Sequence, residues 1–203
     1  MSAAVQIKKS PISKMANNME AAFMNSHQDL IDGCKNCDQK AQFQIYKLYY
    51  KAMYNTSLRI VNNTMEAEDI MQESFLSAFE KIDTYSGTVS FGAWLKRIVI
   101  NRSLDALGKR KAVFEDIETH IGIRDESNDE NDRNEDLDVK INEVKDAIEH
   151  LPDGYRVILS LYLLEGYDHD EIAEILNISS STSRSQLSRA RQKLLSELKS
   201  KKN

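Results

Sequence analysis

Three stretches of the N-terminal half alternate apolar and polar positions with the spacing of amphipathic helices. They cover residues 38–61, 64–82 and 91–107, and Thr64 is predicted to cap the second stretch. Three helices of this length can close a small bundle, so we predict a helical domain over residues 31–112. The positions predicted to be buried are Ala41, Ile45, Leu48, Tyr49, Ala52, Met53, Leu58, Ile70, Met71, Phe75, Ala78, Phe79, Ile82, Trp94, Leu95, Ile98, Val99 and Leu104.

The helical pattern stops at an acidic segment that we place at residues 113–138. It is crowded with Asp, Glu and Asn and has almost no aliphatic periodicity, so it cannot bury enough apolar surface to offset the entropy of ordering. A tether of this length spans about 25–30 Å in the flexible regime, which is long enough to uncouple two domains. Residues 1–30 show no pattern of this kind and are predicted to be a flexible extension.

The apolar period returns in residues 139–203, which we predict to be a second helical domain. Residues 168–195 have the pattern of a helix-turn-helix, with Asn177 suited to a left-handed turn and the second helix starting near Ser180 or Ser181. The residues predicted to hold the two helices together are Ile172, Ala173, Leu176, Ile178, Leu187, Ala190, Leu194 and Leu195.

The second helix of this motif presents a basic and hydroxyl-rich outward face. In a helix-turn-helix, residues near the start of the second helix contact base edges, while other Arg, Lys and Ser side chains bind phosphates. An ordinary helical hairpin with a solvated basic face is the alternative, and the local pattern does not separate the two. The outward side chains are Arg184, Ser185, Ser188, Arg189 and Arg191.

A second basic segment lies in residues 94–111, directly after a group of aromatic residues. Positive charge follows phosphates, and aromatic rings near a flexible loop can receive unstacked bases, a combination suited to single-stranded DNA. The alternative is that Phe91 and Trp94 are simply core residues. The cations of this segment are Lys96, Arg97, Arg102, Lys109, Arg110 and Lys111.

Composition agrees with two helical domains. The chain has 203 residues, is 41% hydrophobic and contains only 7 Gly and 2 Pro, which predicts an all-α protein of two small helical domains joined by the acidic linker. The net charge of −5 does not exclude nucleic-acid binding, because the charges are segregated. The N-terminus lacks an apolar run long enough for a signal peptide or membrane span, so we expect a cytoplasmic protein without membrane contact.

Cys34 and Cys37 form a lone CxxC motif. A structural zinc site usually has four ligands, and the four histidines are scattered. The βαβ setting of a thioredoxin motif is missing as well. We therefore predict two incidental thiols, no metal and no cofactor, although a redox- or zinc-regulated interaction protein is an alternative.

Three stretches follow one another along the chain in a specific order: AEDIMQESFLSAFEKID, FGAWLKRIVINRSLD and LPDGYRVILSLYLLEGYDHDEIAEILNISSSTSRSQLSRARQKL. They resemble regions 2 and 4 of sigma-70 family factors of the extracytoplasmic-function (ECF) group. The resemblance implies a transcription initiation factor that is not an enzyme. It also implies three partners, namely core RNA polymerase at the β′ clamp and β flap, promoter DNA and an anti-sigma factor. A stand-alone helix-turn-helix regulator is the alternative.

The resemblance also implies roles for individual residues. Asp69, Gln72, Glu73 and Phe75 match the polymerase-binding helix of the family. The resemblance and the basic segment together imply a set of residues that contact the minus-ten promoter element. They are Trp94, Arg97, Asn101, Arg102, Lys109 and Arg110. Ser181, Thr182, Arg184, Ser185, Ser188, Arg189 and Arg191 match the reader of the minus-thirty-five element.

The chain departs from the family pattern at Ser183, where an aliphatic residue normally packs. We expect this position to lie in the core, so a Val in its place should stabilise the C-terminal domain.

Overall fold

The computed structural model describes residues 27–109 and 137–200, and within them every regular element is helical. The first bundle contains the described part of α1 (27–35), α2 (Gln39–Val61), α3 (Thr64–Glu80) and α4 (Phe91–Lys109). The second contains α5 (Leu137–Glu149), α6 (Asp153–Leu159), α7 (His169–Leu176) and α8 (Ser180–Ser200). A 3-10 turn (Ile82–Thr84) follows α3, and a π-helical turn (Ser160–Leu164) continues α6. The all-α prediction is confirmed.

The helix ends of the N-terminal bundle (27–109) follow from local side chains. Asp38 caps α2, and Asn63 caps α3 by accepting a hydrogen bond from the backbone N–H of Glu66. Thr64, the predicted cap, is instead the first helical residue. Asn62 ends α2 in the left-handed conformation at φ 52°.

The N-terminal bundle is built around mutual packing of α2, α3 and α4. Ile45, Met53, Leu95 and Val99 are among its fully buried side chains, as the apolar spacing predicts. Ser57 of α2 and Ser103 of α4 meet between the two helices: the buried Ser103 hydroxyl donates to Val99 O at 2.8 Å, and its oxygen lies 3.0 Å from Ser57 Oγ. Ala52 and Leu48 do not belong to this core, and Leu48 is 51% exposed.

Helix α1 covers the base of this bundle with Ile31 and Cys34, both of which are buried. Residues 27–30 therefore belong to a helix rather than to the predicted extension, whose residues 1–26 lie outside the described part. Cys37 is exposed, with φ 56°. Burial, followed by the nearby carboxylate of Asp38, raises the pKa of the Cys34 thiol to about 11.

The C-terminal bundle (137–200) packs α8 against α5, α6 and α7. Ile172, Leu187, Ala190 and Leu194 are buried, as predicted. Leu195 is 57% exposed, so its predicted role as a core anchor is wrong. Neighbouring helix positions point about 100° apart, and only Leu194 faces the other helices.

The two bundles are in direct contact. One apolar cluster contains Ile60 and Ile100 from the N-terminal bundle together with Ile148 and Tyr155 from the C-terminal bundle. The sequence predicts a tether long enough to uncouple the domains, yet here they share a core. Of the predicted linker, residues 113–136 lie outside the described part, while 137 and 138 begin α5.

Arg156 reinforces this contact from a buried position on α6. Its Nη2 donates to the carbonyl of Ile60 at 3.0 Å, near the C-terminal end of α2, and its Nη1 donates to Leu151 O at 3.1 Å. The same guanidinium pairs with Asp153. A positively charged group at a helix C-terminus interacts favourably with the helix dipole, so the cation suits this site.

Among the described residues, no helix is long and apolar enough to cross a membrane.

The two cysteines should differ sharply toward alkylating agents. The thiolate is the reactive form, and with a pKa of about 11 roughly one Cys34 thiol in a thousand is ionised at pH 8. We expect iodoacetamide at pH 8 to modify the exposed Cys37 and to spare Cys34, with Cys34 gaining reactivity as the pH rises toward 11. Peptide mapping by mass spectrometry measures both, and labelling in urea is the control. Equal rates of alkylation of Cys34 and Cys37 in the folded protein would contradict the burial of Cys34.

Candidate nucleic-acid and polymerase interfaces

The helix-turn-helix is held by caps at both of its helices. Asp168 caps α7 in a capping box with Glu171, and Asn177 ends α7 at φ 54°, the left-handed turn that the sequence predicts. Ser179 caps α8, because its Oγ accepts from the backbone N–H of Thr182 at 3.0 Å. These caps fix the direction in which α8 leaves the turn.

The outward face of α8 brings together the residues predicted to read DNA. Arg184 and Arg189 form no ion pair with any residue in the described ranges. Thr182 is half-buried, and its hydroxyl lies 2.8 Å from that of Ser179. A guanidinium that is exposed and without an acidic neighbour is available to a phosphate or a base edge. The exposed members of the set are Ser181, Arg184, Ser185, Ser188, Arg189 and Arg191.

Behind this face lies a group of side chains that sequence reasoning missed. Ser183 is fully buried, as expected, but its hydroxyl lies 2.9 Å from His169 Nδ1. The His169 ring stacks on Tyr162, with the centroids 4.9 Å apart, and the Arg191 guanidinium lies over the Tyr162 ring at 5.5 Å from its centroid. The serine that replaces the expected aliphatic residue therefore has a polar partner on α7.

The aromatic residues before α4 form one cluster. Phe91 is buried, while Trp94 is half-buried and packs against both Phe91 and Tyr85 at centroid distances of 5.4 Å. The Tyr85 hydroxyl donates to Val89 O at 2.7 Å across the loop, and burial raises the pKa of Tyr85. Phe91 is thus a core residue, whereas Trp94 and Tyr85 keep a partly exposed edge beside the loop.

The cations of α4 are partly engaged within the chain. Arg97 Nη2 lies 3.2 Å from Glu174 Oε1 in α7, and Arg102 Nη1 donates to Glu73 Oε2 at 2.8 Å. Asn101 and Lys109 are exposed. Arg110, also predicted to contact DNA, lies outside the described residues.

The exposed side of α3 carries three of the four residues predicted to contact polymerase. Asp69, Gln72 and Glu73 are exposed, but Phe75 is only 3% exposed. Phe75 packs on Tyr46 with the ring centroids 5.0 Å apart. Phe75 is therefore buried, as its place in the apolar stripe of α3 predicts, and its role in polymerase binding stays a prediction.

Two apolar side chains missed by the sequence analysis lie on the same side of the bundle. Leu76 is 64% exposed and Phe43 is 59% exposed, and both line a shallow groove between α2 and α3 with Gln72. Leu76 comes directly after Phe75 in the sequence and lies outside the buried stripe of α3. An apolar residue in that position could have been identified from the sequence as exposed apolar surface. Exposed apolar groups of this kind beside polar ones are typical of interaction surfaces.

Comparisons with known proteins match both bundles. The sigma-70 region 2 family model matches residues 45–113, and the sigma-70 region 4 model matches residues 141–194. The ECF RNA polymerase sigma factor SigW of Bacillus subtilis (strain 168) is 30% identical over 174 residues, covering 81% of this chain and 92% of the relative. The ECF RNA polymerase sigma-E factor of Haemophilus influenzae is 30% identical over 176 residues, covering 81% and 91%.

A solved structure has a similar fold. The sigma factor RpoE in complex with the anti-sigma factor NepR from Bartonella quintana superposes with a TM-score of 0.53 at 25% identity, covering 77% of this chain and 95% of that one. The chain thus contains a helical bundle and a helix-turn-helix, and each is matched by a model of one region of the same family. It belongs to the ECF sigma factors of the sigma-70 family.

The sequence predicts that Ser183→Val stabilises the C-terminal bundle, and the hydrogen bond between Ser183 Oγ and His169 Nδ1 reverses that expectation. The substitution leaves the part-buried His169 Nδ1 without its partner, which costs about 1 kcal/mol or more. The two methyl groups of Val also have to fit a fully packed position, and overpacking of this kind costs about 1–3 kcal/mol, which offsets the gain from apolar burial. We expect the free energy of unfolding to fall by about 1 kcal/mol, measured by urea denaturation. Ser185→Val, at an exposed position of the same helix, is the matched control. A raised stability would show that apolar burial outweighs the hydrogen bond.

Proposed function

We propose that the protein is a dissociable promoter-specificity subunit of RNA polymerase and has no catalytic activity of its own. The observation that carries the proposal is the succession of a region 2 bundle and a region 4 helix-turn-helix in one chain, with an exposed basic face on the second helix of that motif. Because its proposed partners are core polymerase and promoter DNA, we place the protein in the cytoplasm.

The N-terminal bundle is proposed to bind the β′ clamp through the exposed side of α3. Asp69, Gln72 and Glu73 supply polar and acidic groups there, and the groove at Phe43 and Leu76 supplies apolar surface. An interface with an apolar centre and a polar rim is the usual composition of a specific protein contact. Phe75 supports this surface from below.

The same bundle is proposed to open and read the minus-ten element through α4 and the loop before it. Arg97, Asn101, Arg102 and Lys109 supply phosphate and base contacts, with Arg110 as a further candidate from the sequence. Trp94 lies next to the loop and has a partly exposed edge on which an unstacked base could rest. Unstacking costs a few kcal/mol, which binding of the base then offsets.

The C-terminal bundle is proposed to bind near the β flap and to read the minus-thirty-five element with α8. Ser181, Thr182 and Arg184 lie near the helix start, where base edges are contacted in this motif, and Ser185, Ser188, Arg189 and Arg191 come after them. The acidic segment between the bundles would take the path of nascent RNA, whose charge it shares. The solved relative is held by an anti-sigma factor, so we propose such a protein as a further partner.

The test of this function is core-dependent transcription. We expect the purified chain plus core enzyme to initiate at specific promoters, found by sequencing transcripts after overexpression, and the chain alone to bind those promoters poorly. Asp69→Lys should weaken binding to core enzyme by about tenfold or more, since one reversed charge in an interface costs several kcal/mol. Asp83→Lys, an equal change on the exposed 3-10 turn, is the control. Promoter binding without core, as a dimer, would favour the stand-alone regulator.

Arg184→Ala should weaken promoter use through the minus-thirty-five element. A good Arg contact to a base is worth about 1–3 kcal/mol, so we expect about a tenfold loss of run-off transcript at limiting factor concentration. Lys199→Ala, a cation removed from the far end of the same helix, should change the yield little. The opposite ranking of the two variants would remove α8 from the proposed reading surface.

A further inference from the structure

An aromatic ring of the π-helical turn lies against one cation of α8. The Cζ atom of Arg191 is 5.5 Å from the centroid of the Tyr162 ring, which is close enough for a cation–π contact. Tyr162 is half-buried, whereas Arg191 is exposed. The two residues belong to different elements, so their contact depends on how α8 packs against the turn. Such π turns are rare and occur often at functional sites.

The Tyr162 ring is itself held by two further side chains. His169 of α7 stacks on it, with the ring centroids 4.9 Å apart and the ring planes at 29° to each other. His169 Nδ1 lies 2.9 Å from the hydroxyl of Ser183, which is fully buried in α8. The contacts therefore leave α8 at Ser183 and return to it at Arg191, about 12 Å further along the helix axis. This circuit fixes the Tyr162 ring relative to α8.

Arg191 keeps its charge unpaired in this arrangement, because no carboxylate in residues 27–109 or 137–200 forms an ion pair with it. Two cations of the N-terminal bundle are held differently: Arg59 Nη1 lies 2.6 Å and Lys96 Nζ 2.8 Å from the carboxylate of Glu165, at the end of the π-helical turn. A phosphate would have to displace that carboxylate, since both anions accept the same charge-assisted hydrogen bonds. An aromatic ring attracts a guanidinium without neutralising it, so its N–H donors stay available to a phosphate.

The other exposed arginines of the α8 face have no such support. In the described part of the chain, neither Arg184 nor Arg189 lies over an aromatic ring. Arg184 is near the start of α8, where base edges are contacted in this motif, whereas Arg191 lies further along, at a position suited to a phosphate. A long side chain loses rotamer freedom when it binds, and a side chain that is already held loses less.

We propose that Tyr162 is a positioning residue for DNA binding: it holds the Arg191 guanidinium in place for a DNA phosphate beside the minus-thirty-five element. The inference rests on the proposed function, which gives α8 to that element. Tyr162 does not touch DNA itself in this arrangement. Its effect on affinity passes through Arg191, while His169 and Ser183 fix the ring from the other side of the circuit.

The test is binding of the holoenzyme, formed from core polymerase and the full chain, to a labelled promoter duplex. The promoter is one identified by transcript sequencing, and affinity is measured by fluorescence anisotropy at several salt concentrations. We expect Tyr162→Leu to weaken binding about three- to tenfold. Tyr162→Phe keeps the ring and should bind like wild type. Tyr167→Leu, which removes another half-buried tyrosine ring from the same bundle, is the matched control and should also bind like wild type.

A double-variant comparison separates positioning from a merely structural role. Arg191→Ala should weaken binding and reduce the slope of log affinity against log salt concentration by about one, because one phosphate contact is lost. In the Arg191→Ala background, Tyr162→Leu should cost no further affinity, because the ring has no cation left to hold. A structural defect in the bundle would instead weaken binding by the same factor in both backgrounds, which would overturn the proposal.

If Tyr162→Leu does not fold, Arg191→Lys tests the same contact. Lys keeps the charge but lacks the planar group that stacks on a ring, so binding should weaken about threefold or more while the salt slope stays the same. Affinity equal to that of wild type would overturn the positioning role.

Transcription by the wild-type chain separates a failure of this inference from a failure of the proposed function. A wild type that initiates with core enzyme, while Tyr162→Leu binds the same promoters unchanged, would reject the role of Tyr162 and leave the sigma function intact. A wild type that initiates at no promoter would overturn both.

Discussion

The structure depends on helix α6 being buried from two sides. Every residue from 154 to 161 is buried, because α8 covers one side of this segment and α2 covers the other. Apart from Arg156 and Ser160 the segment has no polar side that could face water, and such a helix is stable only when other elements enclose it. Helix α8 and the N-terminal bundle are therefore linked through one shared element, and Arg156 adds a buried polar contact to the end of α2. Any partner that moves α6 away from α2 must cover the surface that α6 leaves.

Local patterns were enough to predict most of the fold. Apolar periodicity located the helices, and Asn177 with the serines after it located the turn and the start of α8. These features are determined by residues within one or two helical turns of each other, because apolar spacing sets the buried side of a helix and capping residues set its ends. The resemblance to the sigma-70 family, carried by three ordered stretches, is confirmed by the comparisons.

The failures of sequence reasoning lie where distant parts of the chain meet. Leu195 differs from its neighbour Leu194 only in which side of the helix the other helices cover, and periodicity alone does not assign that side. Glu165 comes after an apolar run and has no local sign of a partner, since Arg59 and Lys96 lie far away in sequence. The polymerase- and DNA-contacting residues stay predictions; most of the described ones are exposed, whereas Phe75 is buried.

The π-helical turn before Glu165 also limits how the chain can vary in length. One residue removed from Ser160–Leu164 would rotate the next part of the chain by about 100° and turn the carboxylate away from α2 and α4. The acidic segment 113–138 carries no such register requirement in its sequence pattern. Insertions and deletions should therefore be tolerated in that segment and rejected at the end of α6, so a transplant of α8 into a related factor should carry Ser160–Leu164 and Glu165 with it unchanged.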